Sequence, residues 1–125
     1  MVDILYKDES YKIIGSCMKV HAELGSGFLE SVYQEALKLQ FEEESIPFKS
    51  QAPIEVYYGK NKLNTKFIAD FFCYDDIILE IKAVSTILPE HEAQIINYLK
   101  ATNVRLGILV NFGSMSLTHK RYLNI

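Results

Sequence analysis

The sequence predicts an α/β domain: a mixed central sheet flanked by helices. Three observations predict it. Apolar residues recur at helical spacing from about Ser10 to Glu44. Three strand-like runs follow, separated by turn residues. A helix start at Pro89 then leads into a second apolar run, Arg105 to Phe112. A meander followed by a helical crossover to another strand gives a mixed sheet with helices packed against it.

The first helix is expected from about Ser10 to Leu24. Ile13, Ile14, Cys17, Met18, His21 and Leu24 mark its apolar face, Asp8 or Ser10 would cap it, and Gly25 would end it. A second helix should begin near Gly27 and run to about Glu44, stopped by Pro47. Ile54 to Tyr58 is the first predicted strand, with a hairpin turn at Gly59–Lys62. Leu63 to Tyr74 is the second, Asp75–Asp76 a turn, and Ile77 to Val84 a third strand apolar enough to be central. Pro89 suits a first helical turn, with Glu90 and Glu92 favouring its positive end and Asn103 placed to stop it. Arg105 to Phe112 is the fourth strand, and Arg121 to Ile125 a short edge strand.

The chain has 125 residues, which fits one domain over 1–125. Apolar residues make up 49% and charged residues 23%, a globular balance rather than a disordered one. No window approaches the roughly 18 apolar residues that span a bilayer. Met1 to Asp8 lacks the features of a secretory signal, so a cytoplasmic protein without a membrane partner is expected. Cys17 and Cys73 read as reduced core residues, and two cysteines fall short of an iron–sulfur ligand set. Three histidines show no zinc-site spacing. The formal net charge of −3 lends no support to nucleic-acid binding at the level of composition.

Side chains alternate across a strand, so Glu80 and Lys82 share a face. Asp70 lies on the preceding strand, where Ile68, Asp70 and Phe72 should share one face and Phe67, Ala69, Phe71 and Cys73 the other. The Asp75–Asp76 turn folds Asp70 back towards Glu80. Charged groups on strands this apolar are costly unless paired or bound to metal. A Lys82–carboxylate ion pair is the bland explanation. The chemical one is two hard carboxylates holding Mg²⁺ or Mn²⁺, the Ile81 carbonyl as a further ligand, and the Lys82 ammonium stabilising charge on a phosphate or positioning water.

Asp70 followed by Glu80-Ile81-Lys82 resembles the signature of the PD-(D/E)XK nucleases, although Ala69 stands where a proline is usual. The element order resembles that superfamily's restriction-endonuclease-like αβββαβ core. Gly27-Phe28-Leu29-Glu30-Ser31-Val32-Tyr33 is similar to the motif that names the GxxExxY family. The stretches Gln94 to Lys100 and Leu106 to Gly113 match that family too, so the resemblance runs from about Tyr11 to Arg121. It implies metal-dependent hydrolysis of a nucleic acid, DNA first, with Asp70, Glu80 and Lys82 catalytic. It also implies that Glu30 approaches the metal or its waters.

Glu30 would equally suit the positive end of a helix, and Tyr33, one turn later, either orients Glu30 or fills core. Gly27 should serve close packing or an unusual backbone at the corner between the helices. Gln94 and Tyr98 share a face at i, i+4 and resemble the Gln-xxx-Tyr pair of RecB-type nucleases, where the amide supports the site. His91, one turn earlier, is a candidate for substrate contact or a capping residue. Lys60, Lys62, Lys66, Lys120 and Arg121 are candidates for a basic rim. A non-catalytic module binding nucleic acid or protein on the same fold is the rival function. The chain's size leaves open a homodimer that grips both strands.

Overall fold

A computed structural model describes residues 4–124. The order is α1 (Lys7–Leu24), α2 (Glu30–Glu43), β1 (Phe48–Tyr58), β2 (Asn61–Cys73), β3 (Ile77–Lys82), α3 (Pro89–Thr102), β4 (Leu106–Asn111) and β5 (Thr118–Leu123). The five strands lie in chain order, antiparallel except for the parallel pair β3·β4 that α3 connects. This is the predicted mixed sheet, consistent with a restriction-endonuclease-like fold. No described helix is long and apolar enough to cross a membrane.

Each sheet face has its own core. Ile13 and Cys17 of α1 and Tyr33, Leu37 and Phe41 of α2 bury one face against Phe71, Leu79, Ile81, Ile108 and Val110. Ile95, Tyr98 and Leu99 of α3 bury the other against Ile54, Ala69, Ile78 and Leu109. Every residue from Ile77 to Ile81 is buried, as a strand covered on both faces requires. Cys17 and Cys73 are free, buried thiols, and burial pushes the Cys73 thiol up to about 12.

Several predicted boundaries move. Helix α1 starts at Lys7 after a left-handed Tyr6 (φ 51°) with no side-chain cap, so neither Asp8 nor Ser10 caps it. Ser10 instead accepts a hydrogen bond from the Arg121 guanidinium at 2.7 Å. Helix α2 begins at Glu30 rather than near Gly27. Strand β1 starts at Phe48, six residues before Ile54, and contains Pro53. A proline fits there because β1 is an edge strand. Strand β3 ends at Lys82, short of Val84. Strand β5 begins at Thr118, and Ile125, expected to close it, lies outside the described residues. Helix α3 runs from Pro89 to a left-handed Asn103 (φ 58°), as predicted.

Two glycines carry local geometry. Gly25 adopts φ 75° and ends α1, a conformation that penalises any side chain. Gly113 sits against Val84, where an added Cβ would lie 2.2 Å from the Val84 carbonyl oxygen. The buried Asn111 completes this clamp: its Oδ1 accepts from the Val84 and Gly113 N–H groups, and its Nδ2 donates to the Val84 carbonyl. Gly27 does neither, because an added Cβ there meets open space and its φ is not positive. The expectation of close packing or special backbone at Gly27 is therefore overturned; the corner's special backbone belongs to Gly25. Gly113→Ala should destabilise the fold by about 2 kcal/mol or more, since the obstruction is backbone, while Gly27→Ala should shift stability by less than ~0.5 kcal/mol. Urea denaturation of both variants checks this.

Candidate active site at the fork between β2 and β3

Strands β2 and β3 pair only at Phe71↔Leu79, Phe72↔Ile78 and Cys73↔Ile77. Beyond that they fork. β2 continues alone with β1 as a projecting hairpin, while β3 stays with β4 up to Lys82↔Asn111. The next pair in register would be Asp70 and Glu80. Their carboxylates replace the ladder: the Asp70 N–H donates to Glu80 Oε2 at 2.7 Å, and the Ile81 N–H donates to Asp70 Oδ2 at 2.8 Å. Each residue thus binds its neighbour strand through a side chain where a strand normally uses main chain.

The fork breaks the alternation expected along β2. Ala69 lies in the α3-side core with Phe72, whereas Phe71 and Cys73 lie in the α1–α2 core. The expected grouping of Ala69 with Phe71 and Cys73 is therefore wrong. Its cause is local distortion: Gln51, opposite Asp70 in register, takes a left-handed φ of 51° and drops out of the ladder. The freed Asp70 carbonyl accepts from Gln34 Nε2 of α2 at 3.1 Å. Gln34 was not anticipated, although its i+4 spacing from Glu30 places both on one helix face.

On β3 the alternation holds. Glu80 and Lys82 face α3, and Lys82 Nζ donates to Gln94 Oε1 at 3.1 Å. The Lys82 carbonyl accepts from the Phe112 N–H on the β4 side. Consecutive residues use opposite strand edges, so the Ile81 carbonyl opens on the fork beside its own N–H.

The electrostatics follow from burial. Glu80 is 3% exposed, and its carboxyl is pushed up to about 8, first by burial and then by the Asp70 charge. Burial also raises Asp70, opposed by the Ile81 N–H, Lys82 and a hydrogen bond with Glu80. Glu30, half-buried at the start of α2, is raised by burial and then by Asp70, with Lys82 opposing. Burial first, then the Glu80 and Asp70 charges, raise the Tyr98 hydroxyl. Glu30, Asp70, Glu80, Lys82, Gln94 and Tyr98 therefore belong to one neighbourhood. Among the described residues no three His, Cys, Asp or Glu side chains are grouped closely enough to hold a metal ion by themselves.

Other candidates have structural occupations. The Tyr33 hydroxyl donates to the Gly25 carbonyl at 2.6 Å and accepts from the Phe28 N–H, with its ring stacked 4.7 Å from Phe112. It pins the α1–α2 corner, from which Glu30 projects. His91 Nδ1 accepts the Leu88 N–H at 3.0 Å, a helix-start cap. No continuous basic rim forms. Lys62 pairs with Glu55, Lys120 pairs with Glu92, and Arg121 binds Ser10 and the Leu5 carbonyl. The hairpin and β5 lie at opposite edges of the sheet.

A carboxyl that is more basic in the fold binds its proton there. Its stabilising effect is complete below its unfolded value of 4.5 and is lost as pH rises through about 8. In EDTA the protein should therefore melt at progressively lower temperature from about pH 5 to about pH 9. Glu80→Gln should flatten that decline, as calorimetry across the range would show.

Residues 7–122 match the PD-(D/E)XK nuclease superfamily. In structure the chain is similar to the crystal structure of SSO0001, with a TM-score of 0.64 and 19% identity. The match covers 95% of this chain and 60% of that one, so this chain spans about three-fifths of its structural neighbour's length. No curated protein matches in sequence. With Asp70, Glu80 and Lys82 gathered where β2 and β3 part, and a match that takes in every helix and all but the last residue of β5, the chain belongs to the PD-(D/E)XK nuclease superfamily.

Proposed function

We propose that residues 1–125 form a single metal-dependent nuclease domain of the GxxExxY type that hydrolyses phosphodiester bonds, DNA first, in the cytoplasm. The observation that carries this is the pair of buried carboxylates at the fork with Lys82 beside them. Superfamily membership supports a nucleic-acid substrate, and such nucleases typically use divalent metals.

The donor set fits a hard cation. Asp70 and Glu80 offer carboxylate oxygens, and the Ile81 carbonyl opens on the same fork. Two carboxylates in place of a full protein cage suit Mg²⁺, which keeps several waters and takes phosphate oxygens. When bound, the ion supplies a lowered water pKa and charge neutralisation at the phosphate. Burial makes the ionised pair unfavourable by itself, so a cation is its natural partner.

The chain's own residues supply the rest. Lys82, held by Gln94, places an ammonium beside the carboxylates to stabilise charge developing on the phosphate. Tyr98 packs behind Gln94, one turn along α3, and fixes that shell. Glu30 is placed to orient a water at the α2 side, and Gln34 holds the Asp70 main chain in position. Tyr33 acts at one remove by fixing the corner that carries Glu30.

The acidic total and the ion-paired lysines favour a different function, a non-catalytic module on this fold. Cleavage assays separate the two. Linear, circular and single-stranded DNA should be cut with Mn²⁺ or Mg²⁺ and left intact in EDTA. Lys82→Ala should lower the rate by about a hundredfold or more. Asp70→Ala should abolish Mn²⁺ binding by calorimetry. Folded protein that cuts no DNA with either metal would favour the module, with RNA cleavage and partner screens as the next discriminating measurements.

A further inference from the structure

A groove of about 660 Å³ runs between the projecting β1–β2 hairpin and α3. Gln94, the residue that holds Lys82, is one of its lining residues, so the groove lies beside the candidate active site. Its wall is aromatic. Phe67 lies 5.7 Å from Tyr98, ring centre to ring centre, and Tyr57 stands on the hairpin side. Tyr98 is buried, but Phe67 is 42% and Tyr57 55% exposed, so both present ring surface to a ligand. Asn97, Lys100 and the Glu90 carboxylate of α3 line the same groove.

We propose that this groove binds an unpaired nucleobase of the substrate, next to the bond being cut. The inference rests on the nuclease function proposed above and specifies its substrate class: single-stranded or locally opened nucleic acid. Three features point to a nucleobase. Exposed aromatic faces are the platform on which unpaired bases stack. The Asn97 amide carries a donor and an acceptor suited to a base edge, and the Gln94 amide N–H groups add donors while its oxygen holds Lys82. Lys100 supplies a cation at the rim for an adjoining phosphate. A base still paired in a duplex keeps both faces stacked and its edge bonded, so it has nothing to offer the groove.

Charge complementarity adds to this only in part. Lys62 and Lys120 are held by Glu55 and Glu92, whereas stacking supplies affinity that does not depend on a free cation.

The test is fluorescence anisotropy in EDTA, with a labelled twenty-nucleotide oligothymidine strand and the matching duplex as probes. The single strand should bind at least tenfold more tightly. Phe67→Leu, which keeps apolar packing on Tyr98, should weaken single-strand binding about tenfold, as should Tyr57→Ala. Phe67→Trp should restore it. Equal binding of strand and duplex, or wild-type affinity in both weakened variants, would overturn the groove. If metal-dependent cleavage persists in that case, the nuclease function stands without it. Binding of neither probe, with no cleavage, would overturn both.

Discussion

Everything in this molecule turns on the reciprocal exchange between Asp70 and Glu80. Each carboxylate takes a main-chain N–H from the other strand, and by doing so ends the β2–β3 ladder. A continuing ladder would satisfy those amides with carbonyls and leave no opening. The substitution splits the sheet and puts two acidic groups at the split. Burial then makes their joint ionisation unfavourable. The fold alone therefore prefers a protonated Glu80, whereas a divalent cation prefers both groups charged. Stability and chemistry pull the same proton in opposite directions.

Such a site is usable only if its frame resists collapse. β3 supplies most of that resistance, since its apolar residues lock into cores on both faces. Beyond Lys82 the chain is clamped at once: Asn111 binds both main-chain groups of Val84, and Gly113 lets the strands approach where a side chain would not fit. On the α2 side Tyr33 ties the corner to Gly25, and Gln34 takes the carbonyl that the broken ladder leaves free. The supports from Asn111, Tyr33 and Gln34 are satisfied hydrogen bonds in or near a core, where an unsatisfied one would cost about 1–3 kcal/mol. Left-handed backbone flanks this frame at Gln51 in β1 and at Tyr74 and Asp75 in the turn before β3, while β3 itself is regular.

The sequence made the apolar architecture legible because it depends on periodicity. Pro89 and Asn103 mark α3 by their own backbone preferences, and the Glu80–Lys82 pairing follows from alternation on a regular strand. The same rule failed on β2, where alternation assumes an unbroken ladder and Asp70 breaks it. Nothing local distinguishes Asp70 as the point of fracture, because the fracture needs Glu80 across the fork and Gln51 behind it. Gly27 misled for a related reason: its motif position drew attention, while the demanding backbone lies two residues earlier at Gly25. Strand β1 extends back to Phe48 through Pro53, which fits only because the strand lies at a sheet edge, a position that local spacing does not give. The basic rim failed because β5 is remote from the hairpin in the sheet, a separation no spacing in sequence reveals.

On the proposed function, an acidic chain would have to bind a polyanion without a large excess of cations. Counterion release scales with the phosphates neutralised, and here Lys62, Lys120 and Arg121 are already engaged within the protein. Two other sources of affinity would serve the proposed function. One would be a divalent ion held by Asp70 and Glu80, which would offset their charge towards a phosphate. The other would be the aromatic wall between hairpin and α3, on which bases could stack irrespective of charge. They are adjacent because the same fracture creates both. Where β2 leaves β3 the two carboxylates face each other across the split, and the β1–β2 hairpin carries Tyr57 and Phe67 to the groove beside α3. A continuous sheet would have neither the facing carboxylate pair nor the groove.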